Sequence, residues 1–178
     1  LTEEKTLSSR SIFDGRALKL RVDTVETADG RESTREVVEH SDCVVIAAVD
    51  ENDNILLVRQ YREAVGKELL EMPAGGIDPG EDTETAVLRE MQEETGYLPG
   101  KVERLGGFYS APGYCTEYLY LYLVTDLTPS QLYAEDTAGI SLVRVPVKEI
   151  PGLLASDRIE DSKSIAGLYV FLEHRKSG

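Results

Sequence analysis

An unbroken apolar run, Cys43-Val44-Val45-Ile46-Ala47-Ala48-Val49, constrains this chain most. It has no polar face, which is consistent with a strand buried on both sides. The polar turn Asp50-Glu51-Asn52-Asp53-Asn54 follows, then a second strand, Ile55 to Arg62. Glu68 to Met72 reads as another, closed by Pro73-Ala74-Gly75-Gly76. Tyr118, Tyr120 and Tyr122 alternate with Leu119, Leu121 and Leu123, the period-two pattern of a strand. Residues 6–40 are extended too, with alternation from Ala17 to Val22, a turn at Ala28-Asp29-Gly30 and a continuation at Arg35 to Val38. Two helices are marked. One follows Pro79-Gly80-Glu81-Asp82, with Asp82 as its N-cap and Gly96 at its stop. The other carries Ile165, Leu168, Tyr169 and Leu172 at helical spacing. Strands outnumber helices and do not alternate with them. The expected class is therefore α/β in the broad sense (α+β), a mixed β-sheet sandwiched between helices, with an N-terminal antiparallel β extension. Residues 1–40 form the extension and residues 41–178 the main domain.

Charge narrows the function. The 178 residues carry 19 basic and 33 acidic side chains, a net −14, and 41% are apolar. Such a field repels nucleic-acid backbone and anionic lipid, so no nucleic-acid or membrane partner is expected. A phosphate substrate stays possible where cations neutralise the site. No apolar stretch approaches the length of a membrane span, and the first residues lack the plan of a signal peptide. Cys43 and Cys115 are too few for a disulfide scaffold or a thiolate metal site. A reducing, cytoplasmic location is the expectation.

The chemistry concentrates between Gly75 and Tyr97. Glu90, Glu93 and Glu94 are spaced i, i+3, i+4, which puts three carboxylates on one arc of about 100°. Val87, Leu88 and Met91 form a separate stripe that can face a core. Like charges on one face repel by a few tenths of a kcal/mol per pair. A solvated acidic face is one explanation, and a bound cation is the other. Oxygen ligands suit Mg²⁺ or Mn²⁺, which keep several waters and bind through a few carboxylates plus substrate phosphates. Zn²⁺ is disfavoured because the chain has two His, neither with a nearby Cys or His in sequence.

The stretch GGIDPGEDTETAVLREMQEETGY resembles the signature box of the Nudix hydrolases, G-x5-E-x7-R-E-U-x-E-E-x-G-U, where U is bulky and apolar. Gly75, Glu81, Arg89, Glu90, Glu93, Glu94 and Gly96 meet its strict positions, and Met91 and Tyr97 take the bulky ones. Nearly the whole chain is similar to the ADP-ribose pyrophosphatase branch. The likeness includes Arg35-Glu36-Val37-Val38-Glu39-His40, Val58-Arg59-Gln60-Tyr61-Arg62, Leu70-Glu71-Met72-Pro73-Ala74-Gly75, and Pro112. Relatives that cleave GDP-mannose or other nucleoside diphosphate sugars share several of these flanking features.

The resemblance implies a metal-dependent hydrolase of the pyrophosphate in a nucleoside diphosphate sugar. ADP-ribose, giving AMP and ribose 5-phosphate, is the first expectation, with GDP-mannose or a similar sugar as the alternative. It implies that Glu90 and Glu94 ligate Mg²⁺ or Mn²⁺, with Glu93 either a ligand or the base that activates water. The Ala74 carbonyl would complete one metal shell. Glu81 and Arg89 would pair to orient the loop against the helix, with Gly75 and Gly96 as backbone positions at its ends. Arg35 and Arg62 match positions where the branch uses arginine against phosphate or ribose, and Glu117 resembles a loop acid near the terminal ribose. The branch also implies a homodimer through residues 6–40.

Two positions depart from the branch. Relatives often carry a D-E-x-E loop before a late strand, and here that loop reads Tyr133-Ala134-Glu135-Asp136-Thr137-Ala138-Gly139-Ile140. With Ile140 as register, Ala138 and Asp136 take the acidic positions, so Glu135 or Asp136 would have to supply the catalytic acid. An aromatic that stacks the base in some relatives is absent from Gly15-Arg16-Ala17, although Phe13 is close. A Nudix-fold ligand sensor without catalysis is the reading from a different class, disfavoured by the intact box.

Overall fold

The computed structural model describes residues 3–134, 137 and 139–177. The chain divides into two compact units, residues 3–42 with 109–118, and residues 43–108 with 119–177. The first unit is built on β1 (Lys5–Asp14), β2 (Lys19–Glu26) and β3 (Glu32–Glu39), antiparallel in the order β1-β2-β3. Gly30, at φ 79°, makes the turn between β2 and β3. All ten residues of β1 are exposed, and only Asp23 and Val25 of β2 are buried. Ser9 and Arg21 both bond the Asp23 carboxylate, which removes the cost of burying it. The end of β3 is fastened to residues 114–116 by Val38, whose N–H donates to the Tyr114 carbonyl and whose carbonyl accepts from the Thr116 N–H.

The second unit holds the large mixed sheet. Its strands are β4 (Cys43–Val49), β5 (Asn54–Arg62), β6 (Lys67–Glu71), β7 (Ala74–Gly76), β8 (Tyr97–Tyr109), β9 (Tyr118–Pro129) and β10 (Ser141–Pro146). The order is β10-β5-β4-β9-β8, with β6 on β5 and β7 on β4. All seven residues of β4 are buried, as an apolar run without a polar face demands. It pairs parallel with β9 and antiparallel with β5.

Its pairing with β5 is short: only Ala48↔Leu56 and Val49↔Ile55 match. Beyond that point β5 pairs with β6 from Val58↔Glu71 to Arg62↔Lys67, and β4 pairs with β7 from Cys43↔Gly76 to Val45↔Ala74. The segment from Lys67 to Gly76 thus fills the fork where β4 and β5 diverge. Pro73 at its middle closes the seam by accepting from the Ile46 N–H at 2.9 Å.

Two apolar layers cover the sheet. One contains Val44, Ile46, Ala48, Leu56 and Tyr122 with Ala86 and Val87 of α1 (Thr83–Glu90) and Met91 just after it. The other gathers Val45, Ala47, Leu57, Met72 and Leu121 with Ile150 and Leu153 of α2 (Ile150–Leu154) and Leu168 and Phe171 of α3 (Ser162–Ser177). Among the described residues, no helix is long and apolar enough to cross a membrane.

The helices differ in detail from the sequence expectation. Asp82 is the N-cap, accepting from the Thr85 N–H, and Gly96 terminates the helix at φ 79°. Between them, however, α1 ends at Glu90 and a π-helical turn runs from Met91 to Thr95. Each π turn holds an extra residue. Glu93 and Glu94 are therefore not set by ideal i, i+3, i+4 α-helical geometry. On α3 the buried face is Ser164, Gly167, Leu168 and Phe171, whereas Tyr169 is exposed. Close approach decides this: a methyl on Gly167 would come within 2.7 Å of Met72 Sδ. Small residues, not only large apolar ones, face the sheet.

Ser164 ties α3 to the fork. It is fully buried, its Oγ accepts from the Met72 N–H at 2.7 Å and donates to Asp161 at 2.6 Å. Ser164→Ala would leave the Met72 N–H buried without a partner. Such a loss costs about 1–3 kcal/mol, and urea denaturation should show it as a lower midpoint at unchanged slope. An unchanged midpoint would remove Ser164 from the docking of α3.

Candidate active site

The loop before α1 and the two strands in the fork bring the acidic residues together within the second unit. Arg89, on the last turn of α1, is the organising cation. Its Nε and Nη2 donate to the two Glu81 oxygens at 3.0 and 2.9 Å, a bidentate pair. Nη2 also reaches the Gly76 carbonyl at 2.8 Å, and Glu81 accepts from the Asp78 N–H at 3.0 Å. The strand end, the loop and the helix are thereby held by one side chain. Nη1 faces the other way in the pairing, to Glu90 at 2.5 Å and Glu93 at 3.3 Å. Hydrogen bonds from Arg89 hold the Glu81 carboxyl below its ordinary range, and the same pairing raises Arg89.

Glu90 is buried, which is unusual for a carboxylate. Gly75 makes room for it, because any β-carbon at that position would overlap the Glu90 carboxylate. The requirement on Gly75 is therefore steric. Glu94 accepts from the Ala74 N–H at 3.0 Å, so the strand that would offer the Ala74 carbonyl also holds a carboxylate of the helix. Burial, then the charge of Glu90, pushes the Glu94 carboxyl up to about 8, against opposing contributions from Ala74, Lys163 and Arg62.

The remaining candidates are placed as follows. Arg62 ends β5 and pairs with Glu71 through Nε at 2.8 Å and Nη2 at 2.7 Å. Arg35 and Glu117 belong to the first unit. Arg35 is on β3 and pairs with Glu4. Glu117 lies 3.5 Å from the His40 ring. Glu135 and Asp136 lie outside the described residues, as does Ala138. Gln131, at the root of that loop, donates to the carbonyls of Gln92 and Glu93 at 3.0 and 3.2 Å.

Two residues were not singled out by sequence reasoning. Glu71 is 1% exposed and is held by Arg62 and by Lys163 of α3. Lys163 also donates to Asp161 at 2.8 Å. Burial alone would raise the Glu71 carboxyl, but the hydrogen bonds and charges of Arg62 and Lys163 outweigh it and hold it low. The signal was present as an acid inside the strand pattern Leu69-Leu70-Glu71-Met72, but its cation partner lies 92 residues away.

The donor set fits a hard divalent cation. Glu90, Glu93 and Glu94 offer carboxylate oxygens, and Ala74 can add a carbonyl. The glycine that lets Glu90 lie against the strand, and the raised Glu94 carboxyl, both suit a site whose negative charge a cation would balance.

Comparisons with known proteins agree with this geometry. The NUDIX domain matches residues 39–168, and the nucleoside diphosphate sugar hydrolase N-terminal domain matches residues 4–38. The methanol dehydrogenase activator of Bacillus methanolicus is 36% identical over 167 residues, covering 93% of this chain and 90% of that protein. The ADP-ribose pyrophosphatase of Bacillus subtilis (strain 168) is 32% identical, covering 91% and 89%. A crystal structure of an ADP compounds hydrolase superposes with a TM-score of 0.89 over 99% of this chain and 96% of its own, at 22% identity, and so shares the fold. Members of this family generally use a divalent metal. With its signature residues gathered on one strand end, the loop before α1, α1 and the π turn, and with the family match spanning most of its length, this chain belongs to the Nudix family and is a Nudix hydrolase.

Proposed function

We propose that the chain hydrolyses the pyrophosphate of ADP-ribose, with Mg²⁺ or Mn²⁺, to AMP and ribose 5-phosphate. The observation that carries the reading is the intact carboxylate cluster on α1 and the π turn, joined to near-full-length similarity to an ADP-ribose pyrophosphatase. A second reading, hydrolysis of another nucleoside diphosphate sugar such as GDP-mannose, is supported by the similarity of residues 4–38 to the nucleoside diphosphate sugar hydrolase N-terminal domain.

In this reading Glu90 and Glu94 hold the metal with the Ala74 carbonyl, and Glu93 either joins them or takes the proton of the attacking water. A divalent cation there supplies charge neutralisation at the pyrophosphate oxygens and a more acidic bound water. Arg89 and Glu81 keep the loop and helix in register, which fixes the ligands before substrate arrives. Arg62 and Arg35 bind phosphate or ribose, Glu117 the terminal ribose, and Glu135 or Asp136 supplies a further acid. Residues 1–40 serve as a dimerising extension and residues 41–178 as the catalytic domain. The full exposure of β1, with Leu7, Ile12 and Phe13 among its residues, supports a second copy as its cover. Both cysteines are free, which suits a cytoplasmic setting.

The deciding experiment is product analysis with Mg²⁺ on ADP-ribose, GDP-mannose and UDP-glucose. A tenfold or greater preference for ADP-ribose in kcat/KM, on the order of 1.4 kcal/mol in transition-state binding, supports the first reading. A preference for another sugar supports the second. Glu93→Gln and Glu94→Gln should each reduce kcat by at least about 100-fold with the fold retained. Near-normal turnover in both would end the carboxylate mechanism.

A pH test needs no substrate. With no metal bound, burial and the charge of Glu90 push the Glu94 carboxyl up to about 8, against 4.5 for an ordinary glutamate. Between those values the folded state keeps a proton that the unfolded state has lost, so this group lowers stability as pH rises through the window. Glu94→Gln removes that loss. Its melting temperature should fall less between pH 5 and 8 than the wild type's, with a gap on the order of several degrees at pH 8. Parallel curves would show that Glu94 carries no such penalty.

A further inference from the structure

Glu71 is almost fully enclosed, yet two cations converge on it. A buried carboxylate needs one cation to be tolerated, and a buried ion pair is weak evidence for stability, since apolar residues of similar volume often do as well. The second cation and the geometry of the first therefore call for another account. Arg62 spends Nε on one Glu71 oxygen and Nη2 on the other, at 2.8 and 2.7 Å. This fork fixes the plane of the guanidinium. Lys163 donates to the same oxygen as Nη2, and Asp161 holds Lys163 in turn. Asp161 also accepts from the Ser164 N–H at 3.0 Å, so the Lys163 end of this contact starts from a capped helix.

Among the described residues, Arg62 Nη1 has no hydrogen-bond partner, and the Arg62 side chain is 39% exposed while Glu71 is 2%. The two Nη1 N–H donors are thus uncommitted on a partly exposed guanidinium whose Nε–Nη2 edge is locked. The charges of Arg62 and Glu94 also act on one another.

We propose that Glu71 and Lys163 are positioning residues for substrate binding: they lock the Arg62 guanidinium so that Nη1 meets a phosphate oxygen of the nucleoside diphosphate sugar. The proposal rests on Arg62 being a phosphate ligand. Glu71 sets the orientation, and Lys163 restrains the Glu71 carboxylate through the oxygen that also accepts from Nη2. A pre-oriented guanidinium loses less conformational freedom on binding than a free one, so the benefit falls on substrate affinity.

The test is a double-mutant cycle on the full chain with Mg²⁺ and the sugar nucleotide that the wild type turns over best. Arg62→Ala should raise KM about tenfold or more, the range of a lost charge-assisted contact. Glu71→Gln keeps the shape but cannot accept both arms of the fork. It should raise KM about fivefold or more with kcat within about threefold, as expected for lost ground-state binding. In the Arg62→Ala background it should add nothing to KM, because it acts through Arg62. Lys163→Met should raise KM by about threefold, with the same non-additivity, and Lys163→Arg should restore it. This variant carries the test where Glu71→Gln does not fold. A lower melting temperature with unchanged KM in both variants would show a purely structural role and overturn the proposal. An equal rise in KM with and without Arg62 overturns it as well. No turnover of any sugar by the wild type, or an unchanged KM in Arg62→Ala, removes the underlying reading of Arg62 and the proposal with it.

Discussion

The divergence of β4 from β5 is the constraint on which the candidate site depends. Two adjacent strands that stay paired leave no opening between them. Here only two residue pairs join them, and Lys67 to Gly76 takes both vacated edges. Backbone groups on those edges would otherwise be buried without partners. The inserted segment satisfies them and delivers Glu71, Met72, Ala74 and Gly75 to one place. Met72 receives α3 through Ser164, Ala74 receives Glu94, and Gly75 leaves space for Glu90. One topological feature thus joins both helical layers to the same short stretch of chain.

Charge is the second theme. The site concentrates acids in a chain that is already at −14. Protein cations meet part of this: Arg89 spans Glu81, Glu90 and Glu93, while Arg62 and Lys163 enclose Glu71. At Glu94, burial first and then the like charge of Glu90 outweigh the Ala74 N–H and the more distant cations, and its carboxyl rises. A site built to hold a cation has this character: rigid oxygen donors whose mutual repulsion is only partly relieved by the protein.

Much of the fold was legible in local pattern. The run Cys43–Val49 declared a doubly buried strand, and the alternation around Tyr118–Leu123 declared another. Asp82 and Gly96 marked the helix they do bound. Other elements were not legible. β8 and β10 combine apolar, polar and glycine or proline residues without a clean period, and both stand at the edges of the strand order. The π turn cannot be read from spacing, since its residues look helical by any periodic count. Tyr169 shares the helical apolar spacing of α3 and is exposed, because α3 turns Ser164 and Gly167 toward Met72 instead.

The sequence by itself determined the chemical kind of this protein. Oxygen-rich acids at helical spacing, bracketed by glycines and an Arg–Glu pair, belong to local chain geometry and need no tertiary contact to be recognised. Tertiary structure decided which charges meet. Glu71 with Lys163, Met72 with Ser164, and Glu94 with Ala74 are separated by 92, 92 and 20 residues. Pairings at such separations follow from strand order and helix docking. These are set by burial of whole apolar faces, a non-directional force that leaves no residue-specific mark in the sequence.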